Sequence, residues 1–424
     1  MPVGNNFQHS NYTRTDPGDR VGYREVEPAA PPDSIPWQDA MAGHGARLVE
    51  TGVRAVVFMH GTYLGTDLFG IQRLDEAGGL KRGYSRGISG LDALLAMMRG
   101  EGIGMGTPSG AWTPPFPNDE PTLKSLDDKV GDAANFTSTT VSLFEKAVNR
   151  EAAGALTCVR YLWSCEHHHL GRAKAAIQFI ARLRSLVSDR SLGRDDRILI
   201  QAHGHAGQVV ALVSNLLAPA TSSARKVIVE ILKTSLDQTE GDQLIRRNLM
   251  TMEPLFGTGD VLNGVSLDVV TFGTPIRYGW DPSALGRLLH IVNHRMMRQD
   301  GKRWLAKMEM PQVTMEMPIA WGGDYVQQLG VAGCDASPTS PKAREANKAL
   351  WEILEPWDGF ERWLECARRC VRCANDGTCL LVDYKDSTGS TNPLDHLYGH
   401  ATYTRMDHLL FNTKQIVETL YATS

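Results

Sequence analysis

The chain has 424 residues, with 42% hydrophobic and 22% charged side chains and a formal net charge of −4. That balance is ordinary for a globular protein, and the small negative charge supplies no basic field to attract nucleic acid or an anionic membrane. The 41 glycines and 21 prolines favour turns and loops over long bundled helices.

The opening segment, MPVGNNFQHSNYTRTDPGDR, lacks the apolar core of a secretory signal. No apolar run approaches the length of a membrane span. The expectation is a cytoplasmic protein without a transmembrane segment or a nucleic-acid partner. Residues 1–45 are polar and proline-rich (EPAAPPDSIP) and read as an extended arm on a domain covering 46–424.

The first strong strand is predicted over Arg54–Met59, a near-continuous apolar run of the kind buried in a parallel sheet. It ends in His60-Gly61-Thr62. The glycine- and proline-rich stretch over about 75–150 is too long for a simple connection and reads as an insertion near the site. A second strand is expected over Leu156–Trp163. Behind it, Ala176, Phe179, Ile180, Leu183 and Val187 recur at helical spacing. A third strand, Arg197–Ile200, runs into Gln201-Ala-His-Gly-His-Ala-Gly-Gln208, and a helix with Val209, Leu212, Val213, Leu216 and Leu217 on its face follows. Further insertions are placed at 218–262 and 295–320. Strands over Val265–Phe272, Leu288–Val292 and Cys379–Tyr384 and a last helix over 405–421 complete the pattern. Strands alternating with helices give the α/β class, a mainly parallel sheet with helices on both faces. Its chemistry is expected at the carboxyl ends of the strands.

Two polar clusters invite a metal reading and are set aside. Glu166-His167-His168-His169 cannot aim consecutive imidazoles at one ion and reads as a solvated loop near the site mouth. Cys366, Cys370, Cys373 and Cys379 contain only one Cys-x-x-Cys hook. Three of them share a helical face, where cysteine serves as a small buried hydrophobe. A disulfide within that group stays open, because seven cysteines cannot all pair in one chain. No metal and no organic cofactor are expected.

A strand, a sharp turn among small residues and a helix make a nucleophile elbow. Here the turn is Ala202-His203-Gly204-His205-Ala206-Gly207. It resembles a group of α/β-hydrolases of the serine esterase and lipase type, whose elbow reads His-Ser-His-(Gly/Ala)-Gly-Asn-Val. His203, His205, Ala206, Gly207 and Val209 match, Gln208 replaces the asparagine, and Gly204 stands at the serine position. A second register puts Ala206 there, but it sets Gln208 where a small residue is wanted. In both registers the serine is missing. A deliberate substitution, a natural pseudoenzyme, or chemistry by His203 or His205 would each account for that. The completeness of the remaining motifs favours an inactivated variant of an active enzyme.

The same resemblance implies the rest of the site. Phe58-Met-His-Gly-Thr-Tyr63 resembles the oxyanion loop of these enzymes, in which Thr62 or Tyr63 would donate one backbone N–H and His205 the other. In chain order an acid and then a base follow the elbow. Asp324, in Trp321-Gly-Gly-Asp-Tyr-Val326, resembles the acid loop, ahead of Asp335 and Asp395. Asp268, inside a strand's first half, reads as a strand-end charge. His400, in Gly399-His-Ala-Thr-Tyr-Thr404, resembles the base loop, ahead of His396, while His408 reads as a helix residue. Trp163-Ser-Cys-Glu-His-His-His-Leu-Gly-Arg172 resembles a structural or substrate-side loop of the same group. The implied fold is an α/β-hydrolase with lid or cap insertions. The implied activity is hydrolysis of a small-molecule or lipid-like carboxylic ester by Ser-His-Asp acyl transfer. The alternative from another class is a non-catalytic pseudohydrolase that binds a ligand or acts as a scaffold.

Overall fold

A computed structural model describes residues 21–61, 120–151, 154–164, 166, 168–218, 223–295, 319–330, 338, 340–354, 374, 376–385 and 393–422. Seven strands form one all-parallel sheet: β1 (Val21–Glu25), β2 (Val53–Met59), β3 (Thr157–Tyr161), β4 (Arg197–His203), β5 (Ser266–Phe272), β6 (Arg287–Asn293) and β7 (Thr378–Asp383), in the order β1-β7-β6-β5-β4-β2-β3.

The strands expected from apolar runs are all present, shifted by a few residues at their ends. β1 was not expected. Only Val21 of it is buried, so a short edge strand left little apolar signal. The reading of 1–45 as an extended arm is corrected from residue 21 onward. Val21–Glu25 pairs with β7 from Val21↔Cys379 to Glu25↔Asp383. Ile35–Glu50 is a 16-residue helix, α1, that buries Trp37, Met41 and Leu48. Pro36 stands in the first turn of α1, where its missing N–H costs nothing, so a helix-start signal lay inside the proline-rich stretch. Residues 1–20 lie outside the described residues.

The described part of the 75–150 insertion holds two helices, α2 (Glu120–Val130) and α3 (Ser138–Val148), the second capped by Thr137. Helix α4 (His169–Asp189) connects β3 to β4, and α5 (Ala206–Leu217) follows β4. The 218–262 insertion carries α6 (Ser223–Ser235) and α7 (Glu240–Met252). Beyond β6 lie α8 (Tyr325–Gly330), α9 (Pro341–Leu354), α10 (Pro393–His396) and α11 (Leu409–Leu420). The last helix starts later than expected because residues 402–408 form two short 3₁₀ turns, one of which ends at His408.

Alternate strand residues face opposite cores, as the two-residue period of a strand requires. Ala55, Val57, Ile198, Ile200, Ala202, Leu267 and Val269 pack against α4 and α5. Val56, Phe58, Leu199, Val270, Phe272, Leu289 and Ile291 pack against α1, α3 and α11. Burial on both faces explains why these strands read as continuous apolar runs.

Among the described strands, one charged residue is fully buried. Asp268 is fully buried and sits within β5, not at its end. Its carboxylate accepts two hydrogen bonds from Arg197, at 2.7 and 2.6 Å, and one from the Tyr421 hydroxyl at 2.7 Å. Asp268→Ala would leave the buried partners without their anion and should cost about 3 kcal/mol of stability, read as a lowered urea midpoint. A loss within experimental error would show that this network is neutral to the fold.

Candidate functional site

Winding along the sheet reverses beside β4: the chain passes outward from β2 to β3, returns to β4, and continues through β5, β6 and β7. A crevice forms at the carboxyl ends of the strands where winding reverses. His60-Gly61 ends β2, His203-Gly204 ends β4 and Gly273-Thr274 follows β5.

Gly204 makes the turn between β4 and α5 in the left-handed region, with φ of 54°. Its N–H donates to the Phe272 carbonyl at 2.8 Å, and its own carbonyl accepts from the Thr274 hydroxyl at 2.8 Å. Those bonds tie the turn to the neighbouring strand end on both sides. Ala206 is the first residue of α5 and lies buried in the core. The sharp turn therefore falls at Gly204 and not at Ala206. His205 lies between them, buried, at the helix start. Gln208, where the resembled pattern has asparagine, donates to the Pro275 carbonyl and accepts from the Tyr278 N–H at 3.2 Å. It holds α5 against the loop after β5.

Asp324 and His400 meet at this turn. His400 Nδ1 lies 2.7 Å from Asp324 Oδ2, and both side chains are buried. A Cβ built on Gly204 would lie 2.7 Å from His400 Nε2 and 3.8 Å from the Gly61 Cα. The imidazole thus stands over the position where a residue-204 side chain would begin.

The acid is fixed from several sides. Asp324 Oδ1 accepts from the Gln327 N–H at 2.8 Å, and Oδ2 also accepts from the Tyr403 hydroxyl at 2.8 Å. The Tyr403 oxygen in turn accepts from the Asn293 N–H at 2.7 Å, and the Asp324 N–H donates to the Asn293 carbonyl at 3.0 Å. Burial and the Asp324 charge push the Tyr403 phenol well above its ordinary range, so it remains a donor. Gly273 makes room for this arrangement, since a Cβ there would lie 2.4 Å from Asp324 Oδ2 and 2.7 Å from the Tyr403 ring. His400 is set by an unusual backbone: Leu397, Tyr398 and Gly399, directly before it, all have positive φ.

His203 is fully buried, and its Nε2–H donates to the His400 carbonyl at 2.8 Å. Burial and the neighbouring His400 hold its pKa well below the usual histidine value, so it stays neutral. It has no surface to offer a substrate. Its place is behind His400, steadying the loop that carries it. A Cβ at Gly61 would lie 2.2 Å from His203 Nδ1, so only glycine fits there.

Other expected residues fall elsewhere. Thr62, Tyr63, Asp335, His167, Cys366, Cys370 and Cys373 lie outside the described residues. Asp395 is exposed, and its backbone carbonyl accepts from Arg405. His396 and His400 are both buried. Cys379 is buried in β7. The expectation of a solvated loop is corrected for His168 and His169, which are both buried. His168 is the N-cap of α4, accepting from the Gly171 N–H at 2.8 Å, and His169 Nδ1 pairs with the Tyr278 hydroxyl at 2.7 Å. Arg172 is completely buried and donates to the same hydroxyl at 2.7 Å. A polar run was needed here to start a buried helix, and helix capping explains it. Among the described residues no group of three or more His, Cys, Asp or Glu could hold a metal ion, and no helix is long and apolar enough to cross a membrane.

Tyr403, Asn293, Gln327 and Thr274 hold the site, yet sequence reasoning gave them no part in it, and it offered His203 for chemistry rather than for support. Tyr403 and His203 lay inside the motifs that located His400 and Gly204. Their place within those motifs was the available signal.

Comparison of the chain with protein-family models, with curated proteins and with solved structures finds no match.

Proposed function

We propose that this chain carries the site of an α/β-hydrolase-type carboxylic ester hydrolase from which the nucleophile has been removed. One observation carries the reading: an Asp324–His400 pair, 2.7 Å across, presents the free nitrogen of its imidazole 2.7 Å from where a side chain at position 204 would start. With serine at 204, that nitrogen would take the hydroxyl proton as the oxygen attacked an ester carbonyl. His400 would then return the proton to the leaving alcohol, and water would release the acid. Asp324 would hold the imidazole with its proton on Nδ1. The His205 N–H at the start of α5 and an N–H from the Thr62-Tyr63 segment would stabilise the oxyanion. Helices α6 and α7, inserted between β4 and β5, are candidates for a cap. The strand–turn–helix unit centred on Gly204 supports this register over Ala206. With glycine at 204 no acyl-enzyme forms there.

The test is Gly204→Ser, assayed with chromogenic esters of graded acyl length. Turnover at least tenfold above the glycine chain is expected, with covalent labelling of residue 204 by a serine-directed phosphonate. The serine Cβ obliges the imidazole to draw back, so a thermal melt must accompany the assay. A folded Gly204→Ser protein without turnover or labelling would overturn the reading. Recovery only in Ala206→Ser would overturn the register.

A further inference from the structure

Gly204 deletes the covalent step but leaves the base. The Nδ1 of His400 is engaged by Asp324, so the imidazole's lone pair lies on Nε2, and Nε2 makes no hydrogen bond to any described residue. His400 is held by several independent ties: Nδ1 to Asp324, its carbonyl by His203 at 2.8 Å, and its N–H to the Leu397 carbonyl at 3.0 Å. Asp324 is itself clamped by Gln327 and Tyr403. None of these ties passes through residue 204. The pair is therefore a preorganised base whose geometry does not depend on a serine.

Glycine also changes what can stand in front of that base. A serine would place its Cβ and hydroxyl between Nε2 and the substrate, and Nε2 would be occupied by the hydroxyl proton. With hydrogen in their place, Nε2 stands beside Gly204, 2.7 Å from where a Cβ would lie, on a side chain that is 3% exposed. The group it can reach there is a water molecule entering with the substrate. The other histidine beside the elbow cannot take this part, because His203 is fully buried and spends its Nε2–H on the His400 carbonyl.

We propose that the glycine chain is itself a catalyst, hydrolysing activated carboxylic esters in one displacement, with His400 as general base on water and Asp324 as its positioning residue. This rests on the reading of the crevice as an ester site. In the step, a water O–H bond breaks and its proton passes to His400 Nε2 while the water oxygen bonds to the carbonyl carbon. The carbonyl π pair moves onto oxygen. As it returns, the bond to the alcohol oxygen breaks and the alkoxide takes the proton back from Nε2. One ester and one water give one acid and one alcohol, and His400 ends as it began. Without a covalent intermediate the leaving group must depart from the water adduct, so aryl and other good-leaving-group esters are the substrate class. General-base assistance of this kind is worth about 10²–10⁴-fold over the uncatalysed reaction.

The experiment uses the unmodified 424-residue chain with p-nitrophenyl acetate. Expected are a linear time course without a burst, a rate at least tenfold above buffer, a slower rate in D₂O, indifference to serine-directed phosphonates, and no acyl adduct in the intact mass. His400→Gln should bring the rate to the buffer level, and Asp324→Asn should lower it and displace its pH profile, both in proteins whose thermal melts show them folded. A burst, an acyl adduct or a rate unchanged by His400→Gln would overturn the proposal. A silent glycine chain beside an active Gly204→Ser protein would overturn it too, while leaving the serine-site reading standing. An active glycine chain beside a silent Gly204→Ser protein would do the reverse. The D₂O, burst and mass measurements need no variant, so a misfolded His400→Gln protein leaves the proposal open to refutation.

Discussion

Taking the protein from pH 7 to pH 4.5 should remove about 5 kcal/mol of folding stability through two buried histidines alone. His60 and His290 are both buried. Burial holds the pKa of His60 down to about 3, with the Arg160 charge adding to it, and burial holds His290 at about 4. In the unfolded chain each would titrate at about 6.5. The unfolded state therefore binds the extra protons as pH falls below 6.5, while the folded state refuses them down to about 4 and 3. The stability is complete above the unfolded pKa and is lost as pH falls through that window. Each histidine contributes about 1.4 kcal/mol per pH unit there. His203, also buried and neutral, acts in the same direction. Against a total of roughly 5–15 kcal/mol for a typical domain, this brings the fold near its unfolding point. Urea midpoints at pH 7 and pH 4.5 measure the drop. His290→Gln keeps a neutral polar side chain beside the Thr271 hydroxyl, 2.7 Å from Nδ1 in the parent, and should recover about half of the loss. An undiminished drop in that variant would assign the acid sensitivity to other groups.

Asp324→Asn, made in the Gly204→Ser protein, should lower kcat by about 10⁴-fold while leaving the fold nearly intact. The amide is the same shape as the carboxylate, and with its nitrogen facing His400 in place of Oδ2 its oxygen still accepts from the Gln327 N–H, which lies 2.8 Å from Oδ1 in the parent. What it reverses is the proton on the imidazole. Facing an N–H₂ group, His400 Nδ1 becomes the acceptor and Nε2 the donor, and a nitrogen that carries a proton cannot accept one. The damage is therefore to the tautomer and not to the position, and the melting temperature should stay close to the parent's while kcat collapses. A loss below about tenfold would mean that Asp324 contributes packing alone.

The two halves of the site were legible to different degrees. Gly204, Asp324 and His400, which the structure brings together, stood out in the sequence because each lies in a short motif, Gly204 at the end of β4 and the other two in loops, and the chain order of those motifs is itself a signal. His400 and Asp324 are 76 positions apart in sequence, so their meeting is a property of the sheet and not of any local pattern. The ties behind them were not legible. The Tyr403–Asp324 and His203–His400 bonds depend on where side chains arrive after packing, and no spacing rule encodes that. The histidines at 168 and 169 were misjudged for a related reason. A polar run reads as surface until the helix it caps and the Tyr278 hydroxyl it meets are known. Among the elements, strands buried on both faces were the clearest, because their apolar runs are near-continuous. The edge strand β1 was the least clear, because it buries one side chain.

That edge strand has a consequence for how the protein is made. Val21–Glu25 completes the sheet only by pairing with Thr378–Asp383. A ribosome must add 353 residues, the difference between positions 25 and 378, before the partner exists. At about 5–20 residues per second that is a wait of roughly 20–70 s. During the wait the segment is an orphan, and its composition suits that condition: it offers one buried-type apolar residue, Val21, and ends in Arg24 and Glu25. Charges at an exposed strand discourage pairing with a neighbouring nascent chain. The weakness that hid β1 from sequence reading is thus what lets a strand made so early be one of the last to find its place.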